Sequence, residues 1–214
     1  MLDTPPALTL SDLLALAPGR AHELCGPARR VLALWLIALL SPQTPVLWLR
    51  PRWGVDRLYP PGFSPWIDPA RLIIAQGAKS ADLLACTEDG LRSGACGLVL
   101  VELPKPPDLT PLRRLHLAAA EGLARRRTRD PKASLHALVL TPGMGGTGGV
   151  ESRWHLAPCA GRQGALDLAW RLTRLRARMA PEARWRITPP HQPHLRLAPV
   201  RDLTAQIDSE MPVS

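Results

Sequence analysis

Three short runs of this chain are apolar without interruption, and they constrain its fold more than any other feature. They are PVLWL at 45–49, GLVLV at 97–101 and HALVL at 136–140. A strand with one face in water alternates polar and apolar residues, whereas a strand covered on both faces is apolar throughout. The runs therefore predict an α/β fold, a mainly parallel sheet with helices on both of its faces.

The segments around these runs complete an alternation of strands and helices, which is typical of α/β proteins. The predicted strands are 21–25, 46–50, 72–75, 98–102 and 135–140, and the predicted helices are about 27–41, 79–92 and 110–127. Near the N-terminus, TLSDLLALA predicts a further short helix capped by Thr9 or Ser11.

The pattern changes after Leu140. The glycine-rich segment TPGMGGTGGV at 141–150 predicts a mobile loop. RWHLA, RWRI and HLRLA then alternate, which predicts half-exposed antiparallel strands at the end of the sheet. Between the first two, residues 165–179 predict an amphipathic helix. Its apolar side would carry Leu168, Leu172, Leu175 and Met179, and another side Arg171, Arg174 and Arg178.

The charge of the chain is strongly positive. Its 27 Lys and Arg outnumber 18 Asp and Glu, for a net charge of +9. This balance favours a polyanion or an acidic partner. A GC-rich coding bias, which enriches Arg and Pro, explains the same composition without any partner.

Cysteine and histidine residues give no pattern that indicates catalysis or a metal. Cys25, Cys86, Cys96 and Cys159 are scattered without a CxxC pair, which predicts reduced thiols. His191 and His194 form an HxxH without a nearby third ligand, so we expect no metal site. No catalytic motif of the GxSxG, HExxH or DFG type is present, and we expect no catalytic residue.

The longest apolar run, 31–40, is about half of what a bilayer requires. We therefore expect a cytoplasmic location.

A strand, Gly26-Pro27 and a helix follow one another directly where many α/β proteins bind a nucleotide phosphate. A P-loop requires GxxxxGK[ST], because backbone amides, a lysine and a hydroxyl bind the phosphates and Mg²⁺. Counted from Gly26, the second glycine, the lysine and the hydroxyl residue become Val31, Leu32 and Ala33. A shortened loop, with Gly26 as cap and Pro27 in the first helical turn, fits better.

Two further positions bear on nucleotide chemistry. PVLWLR ends in Arg50 where an acid would orient the attacking water, and GLVLVEL places Glu102 at the Walker B position. Arg29 and Arg30 lie in a first helical turn, where the helix dipole disfavours cations. They pair either with Glu23 or another carboxylate, or with a partner's phosphate or acid. We predict a degenerate nucleotide site, formed by Gly26, Pro27, Arg29, Arg30 and Glu102, that does not hydrolyse ATP.

Two other segments are candidate DNA- or partner-binding surfaces. The helix predicted at 110–127 carries its arginines on its outer side, either as a binding patch or as a solvated face. GMGGTG matches GxGxxG, but no helix follows it, so it is a loop and not a dinucleotide site. No RRM, helix-turn-helix or zinc motif indicates sequence-specific binding. The candidates are Arg113, Arg114, Arg125, Arg126, Arg127, Arg129, Gly145, Gly146, Gly148 and Gly149, with Arg171, Arg174 and Arg178.

The order of these elements resembles the ImuA family, RecA-like proteins of bacterial damage-inducible mutagenesis cassettes. The resemblance covers roughly residues 19–158, and its most specific parts are LYPPG at 58–62, DPARL at 68–72 and LRSGA at 91–95. It implies a RecA-like core at 19–158, with an N-terminal segment at 1–18. We expect a basic helix and strands at 159–199 and a flexible tail at 200–214.

The resemblance also implies a function. Such proteins are non-catalytic accessories of error-prone translesion synthesis that bind RecA, ImuB or an error-prone C-family polymerase, with no cofactor and no membrane. It places the glycine-rich loop at 143–149 where RecA-like proteins have a second DNA-binding loop, so an indirect or a weak direct contact with DNA is one expectation. Two alternatives stay open: a SulA-like inhibitor of cell division that binds a cytoskeletal GTPase, and an ATPase with an unusual site.

Overall fold

A computed structural model describes residues 16–54, 56–159 and 169–187 of the chain. The helix predicted near the N-terminus, the HLRLA strand, the tail, and His191 and His194 lie outside these residues. Eight described strands form one sheet in the order β3-β2-β4-β5-β1-β6-β7-β8. They are β1 (Ala21–Cys25), β2 (Val46–Pro51), β3 (Leu72–Gly77), β4 (Leu98–Glu102), β5 (His136–Thr141), β6 (Ser152–Cys159), β7 (Ala169–Ala177) and β8 (Ala183–Ile187).

Three long helices connect the parallel strands, as the sequence predicts. They are α1 (Arg29–Ala38), α3 (Ser80–Ser93) and α4 (Leu109–Arg127), while α2 (Pro60–Phe63) and a 3₁₀ turn (Pro69–Arg71) are short. No helix in the described ranges is both long and apolar enough to cross a bilayer.

Strands β1 to β6 pair with one another in the parallel sense. Strands β7 and β8 extend the sheet beyond β6 in the antiparallel sense. The mainly parallel sheet with antiparallel strands at its C-terminal end is thus confirmed. RWHLA differs in detail, because β6 is parallel to β1 and antiparallel only to β7.

Both faces of the central strands are buried, which explains their uninterrupted apolar sequence. Leu98 and Leu100 of β4 pack with α1 on one face, called here the α1 face. Val99 and Val101 pack with α3 and α4 on the opposite face, the α4 face. Successive side chains of a strand point to opposite faces, so one run of apolar residues supplies two cores.

Helices α3 and α4 pack backbone against backbone at Gly122. A Cβ atom built on this glycine would lie 1.9 Å from the carbonyl oxygen of Leu91. Gly94 ends α3 in the left-handed conformation, with φ at +66°, and lies against the same turn of α4. Glycine is needed at both positions, one for space and one for backbone conformation.

The helix predicted at 165–179 is wrong over its described part, because residues 169–177 form strand β7. Arg153 pairs with Arg176 and Trp154 with Arg174, so Leu175 is an extra residue at a β-bulge. The bulge shifts the alternation by one position. Leu172 and Leu175 are three residues apart in the sequence. That spacing is the one a helical face shows.

Candidate functional site

The turn between β1 and α1 is closed by the neighbouring strand β6. Gly26 is buried and has a φ of +92°. A Cβ atom built on it would lie 2.6 Å from the carbonyl oxygen of Leu156 and 2.7 Å from the ring of His155. Where a P-loop curves around a phosphate, this turn lies directly against the backbone of β6.

The amides of this turn are bonded within the chain. The N–H group of Ala28 donates to the carbonyl oxygen of Leu156 at 3.1 Å, and that of Arg29 donates to Gly26 O at 3.3 Å. The Arg29 guanidinium also donates to Gly26 O, at 3.1 Å. Pro27 has no N–H group. A phosphate cradle depends on several amides that point into one open space. The amides of Ala28 and Arg29 instead point at carbonyl oxygens of the chain.

The acid at the Walker B position is bonded within the protein. Glu102 is nearly fully buried, and the Arg30 guanidinium donates to its Oε2 atom from Nε at 2.9 Å and from Nη2 at 2.7 Å. The Trp48 indole donates to Oε1 at 2.8 Å. Of the two interpretations of Arg30, the structure shows a salt bridge to a carboxylate, and that carboxylate is Glu102 rather than Glu23.

Arg50, at the end of β2, organises the loop that follows this strand. It is only 4% exposed, and its guanidinium donates to the carbonyl oxygens of Gly54 at 2.9 Å and Asp56 at 2.6 Å. At this position a nucleotide hydrolase would have an acid that orients the attacking water. Here it is a buried arginine that donates to backbone carbonyl oxygens.

Glu23 is fully buried on the α4 face of β1 and accepts several hydrogen bonds. The hydroxyls of Thr141 and Thr147 donate to Oε1 at 2.6 and 2.8 Å, and the Arg153 guanidinium donates to Oε2. The amides of Gly146 and Thr147 donate to the same carboxylate at 3.1 to 3.3 Å. Because a buried carboxylate is tolerated only when it is paired and hydrogen-bonded, this cluster fixes the loop.

The glycine-rich loop, residues 142–151, is a crossover between the parallel strands β5 and β6, which lie on either side of β1. A Cβ atom at Gly145 would lie 2.8 Å from the Glu23 carboxylate, and one at Gly149 would lie 2.8 Å from the Leu109 side chain. The glycines thus permit a short crossover to lie flat under α4. The expectation of a mobile loop is corrected here, because the bonds to Glu23 hold its middle in place. Gly146, Gly148 and Gly149 remain exposed.

The arginines of α4 divide into groups with different contacts. The Arg126 guanidinium donates to the carbonyl oxygens of Gly94, Ala95 and Ser134, so it connects α3, α4 and β5. Arg114 pairs with Glu88 of α3 at 2.7 Å, and Arg125 pairs with Glu121 at 2.6 Å. Arg127 donates to Ala133 O at 3.3 Å, and Arg129 is exposed. Arg113 alone turns toward β7 and lines a cleft there.

The arginines of β7 lie on two faces, because the segment is a strand. Arg174 stacks over Trp154 and Trp185 on the α1 face, with its guanidinium carbon 5.7 and 5.2 Å from the ring centroids. Arg171 lies on the α4 face, and Arg178 lines the cleft beside Arg113. The sequence interpretation missed Arg20, Arg176 and Arg184. Strand alternation in ARWRI would have placed Arg184 opposite Trp185, whereas Arg176 follows the bulge that reverses the alternation and Arg20 precedes β1.

Two of the cysteines, Cys25 and Cys96, are buried. Cys25 is buried against the carbonyl oxygen of Trp154, and burial, with the charge of Glu23, raises the pKa of its thiol to about 12. Burial also raises the pKa of the Cys96 thiol. Within the described ranges, no group of three His, Cys, Asp or Glu side chains could hold a metal ion.

Comparison with solved structures identifies the fold. The chain is similar to the crystal structure of the RadB recombinase, with a TM-score of 0.57 and 16% identity over 87% of this chain and 96% of that chain. It is also similar to SulA from Pseudomonas aeruginosa, with a TM-score of 0.44 and 17% identity over 57% of this chain and 98% of that chain. The second similarity is too distant to support a conclusion. No family model and no curated protein matches the sequence. The sheet and the RadB similarity together show a RecA-like fold.

Proposed function

We propose that the protein is a non-catalytic RecA-like accessory of error-prone translesion synthesis that binds RecA, the ImuB–polymerase complex, or both. The observation that carries the proposal is the closed turn at Gly26, where strand β6 lies 2.6 Å from the place of a Cβ atom. A triphosphate needs an open ring of amides and a lysine at this position. The turn provides neither.

The polar groups around this turn support the same conclusion. Glu102 is bonded to Arg30 and Trp48, and Arg50 is bonded to the loop after β2. A nucleotide-hydrolysing enzyme would use groups at these two positions to bind a metal ion or to orient water. In this chain, Glu102 and Arg50 stabilise the fold instead. The RecA-like frame then serves as a binding platform rather than as a motor.

One of the segments that carry the resemblance to ImuA, LYPPG, also contributes to a surface suited to a protein partner. Leu58, Tyr59 and Gly62 of LYPPG line an apolar cleft of about 420 Å³ together with Trp35 and Trp170. Tyr59 is 72% exposed at its rim. Exposed aromatic side chains around an apolar cleft are common anchors of protein interfaces.

A binding experiment with purified proteins tests this function. The immobilised chain is presented with RecA on single-stranded DNA and, separately, with the ImuB–polymerase complex. We expect at least one of them to bind without added nucleotide, and Tyr59→Ala to weaken binding about tenfold or more. Trp53→Ala is the matched control, because Trp53 is 53% exposed and does not line the cleft.

Failure of both partners to bind would contradict the proposal. The SulA-like alternative gives a different result. In that case the chain would bind a cytoskeletal GTPase, and its overproduction would make cells filamentous.

A further inference from the structure

The α4 face of the C-terminal strands carries a concentration of arginines. Trp154, Leu172 and Ile187 pack into the core on the α1 face, so the alternate residues of the same strands point the other way. Those on β7 and β8 are Arg171, Thr173, Arg184 and Arg186, and Arg176 joins them because the bulge at Leu175 reverses the alternation. Arg171, Arg176 and Arg184 are exposed.

This arrangement places like charges beside each other. Arg171 and Arg186 are direct cross-strand partners. Arg184 has Glu182 nearby, at 3.3 Å between two exposed side chains, a contact that contributes little.

A cleft of about 520 Å³ continues the basic sheet surface toward α4. Arg20, Arg113, Arg176 and Arg178 line it, against one carboxylate, Glu151. Four elements contribute these residues: the start of β1, helix α4, the end of the glycine-rich loop and the end of β7. Arg176 belongs to both the sheet surface and the cleft, so the two form one continuous surface.

The wall of the cleft is held in place by His116. The N–H group of Ala21 donates to its Nδ1 atom at 3.2 Å, so the proton lies on Nε2, which donates to Gly149 O at 3.1 Å. Both ring nitrogens are thus used to join β1, α4 and the loop. Burial lowers the pKa of His116, which keeps it neutral in this role. The positive charge of the cleft comes from arginine alone.

We propose that this surface, defined by Arg20, Arg113, Arg171, Arg176, Arg178 and Arg184, binds the phosphate backbone of a single-stranded nucleic acid. Arginine binds phosphate through two parallel N–H groups. Arg176 and Arg178, two residues apart at the end of β7, are separated along the chain by at most about 7 Å, a spacing comparable to that of successive phosphates in an extended strand. The site goes beyond the accessory role, which requires only protein partners.

Charge and composition favour nucleic acid over an acidic protein. Protein interfaces are centred on aromatic or apolar anchors with arginine among them. Here Leu117 is the one exposed large apolar side chain that lines the cleft within the described residues. The cleft also opens onto the basic face of the sheet, so one extended strand can contact both parts of the surface.

Fluorescence anisotropy with a labelled oligothymidylate, in a salt series from about 50 to 200 mM, tests the proposal. The test variant is Arg171→Ala/Arg176→Ala/Arg178→Ala. The control is Arg52→Ala/Lys105→Ala/Lys132→Ala, which removes the same charge from exposed positions outside the surface. Urea unfolding checks that both variants are folded.

We expect the test variant to lose at least about tenfold in affinity and the control to stay near the parent protein. The slope of log affinity against log salt is about −0.7 for each phosphate contact on a single strand. Removing three contacts therefore lowers its magnitude by about 2. Equal loss in both variants, no binding by the parent protein, tighter binding of a duplex, or equal binding of polyglutamate would each overturn the proposal.

Discussion

Two buried acids show how single residues determine the character of this site. Glu23 binds the glycine-rich crossover, and Glu102 binds the start of α1 through Arg30. Removing one member of a buried ion pair costs about 3 to 5 kcal/mol, since the remaining charge is then unpaired. Both carboxylates lie near the carboxyl edge of the parallel strands, and both stabilise the fold there.

His22 makes the stability of the protein sensitive to pH. Its ring is buried between Ser152 and the carbonyl oxygen of Ala17, with hydrogen bonds of 2.7 and 3.0 Å. Burial lowers the pKa of His22 from 6.5 to about 4. As the pH falls below 6.5 the unfolded chain binds this proton first, so stability falls from there down to about pH 4. Above that range both states are neutral and the full stability is present.

Urea unfolding at about pH 7.5 and about pH 5 measures this effect. We expect His22 alone to account for about 2 kcal/mol of lower unfolding free energy at the acid pH. His22→Gln keeps a donor and an acceptor and should remove that part of the pH dependence. The half-buried His155, replaced in the same way, should change it less. An unaltered pH dependence in His22→Gln would contradict the assignment.

At the scale of elements, sequence patterns predicted the central strands and the three long helices but not β7. The apolar runs were informative because burial on both faces leaves no alternation to misinterpret. In β7 the apolar residues Leu172 and Leu175 have the spacing of a helical face, and the bulge at Leu175 interrupts the alternation that is typical of a strand. A bulge depends on pairing with a distant strand, so local periodicity could not reveal it.

The candidate site was predicted only in part for a similar reason. A carboxylate partner for Arg30 follows from the unfavourable position of a cation in a first helical turn. That the partner is Glu102, and that Glu23 binds Arg153 and the loop, depends on which strands are neighbours in the sheet. Of the basic surface, Arg113, Arg171 and Arg178 were candidates from the sequence. Arg20, Arg176 and Arg184 were missed, because the surface is assembled from four separate elements.

The contact between α3 and α4 gives a prediction for Gly122. Gly122→Ala should gain about 1 kcal/mol in helix propensity. It also places a methyl group against the Leu91 carbonyl, 1.9 Å away, and overpacking commonly costs about 1 to 3 kcal/mol. Because a backbone carbonyl cannot rotate aside, we expect a net loss of stability in urea unfolding. Gly148→Ala is the control, since no atom lies within 4 Å of its Cβ position. A stabilised Gly122→Ala variant would refute the close packing.

At the scale of the whole molecule, the sheet separates two surfaces of different chemistry. The apolar cleft with Tyr59 and Trp170 lies on the α1 face, and the arginine surface lies on the α4 face. A platform of this kind can bind a protein on one face and a nucleic-acid strand on the other without competition. The RecA-like sheet supplies the separation, and in the proposed function its carboxyl edge, with the closed turn at Gly26, has no motor role.

Titration calorimetry with ATP and Mg²⁺ tests that central claim most directly. It is performed at about 200 mM salt, because salt weakens nonspecific binding of the anion to exposed arginines. The closed turn predicts no saturable binding with a Kd below about 1 mM. A saturable isotherm with a micromolar Kd and a stoichiometry of one ATP per chain would contradict the account.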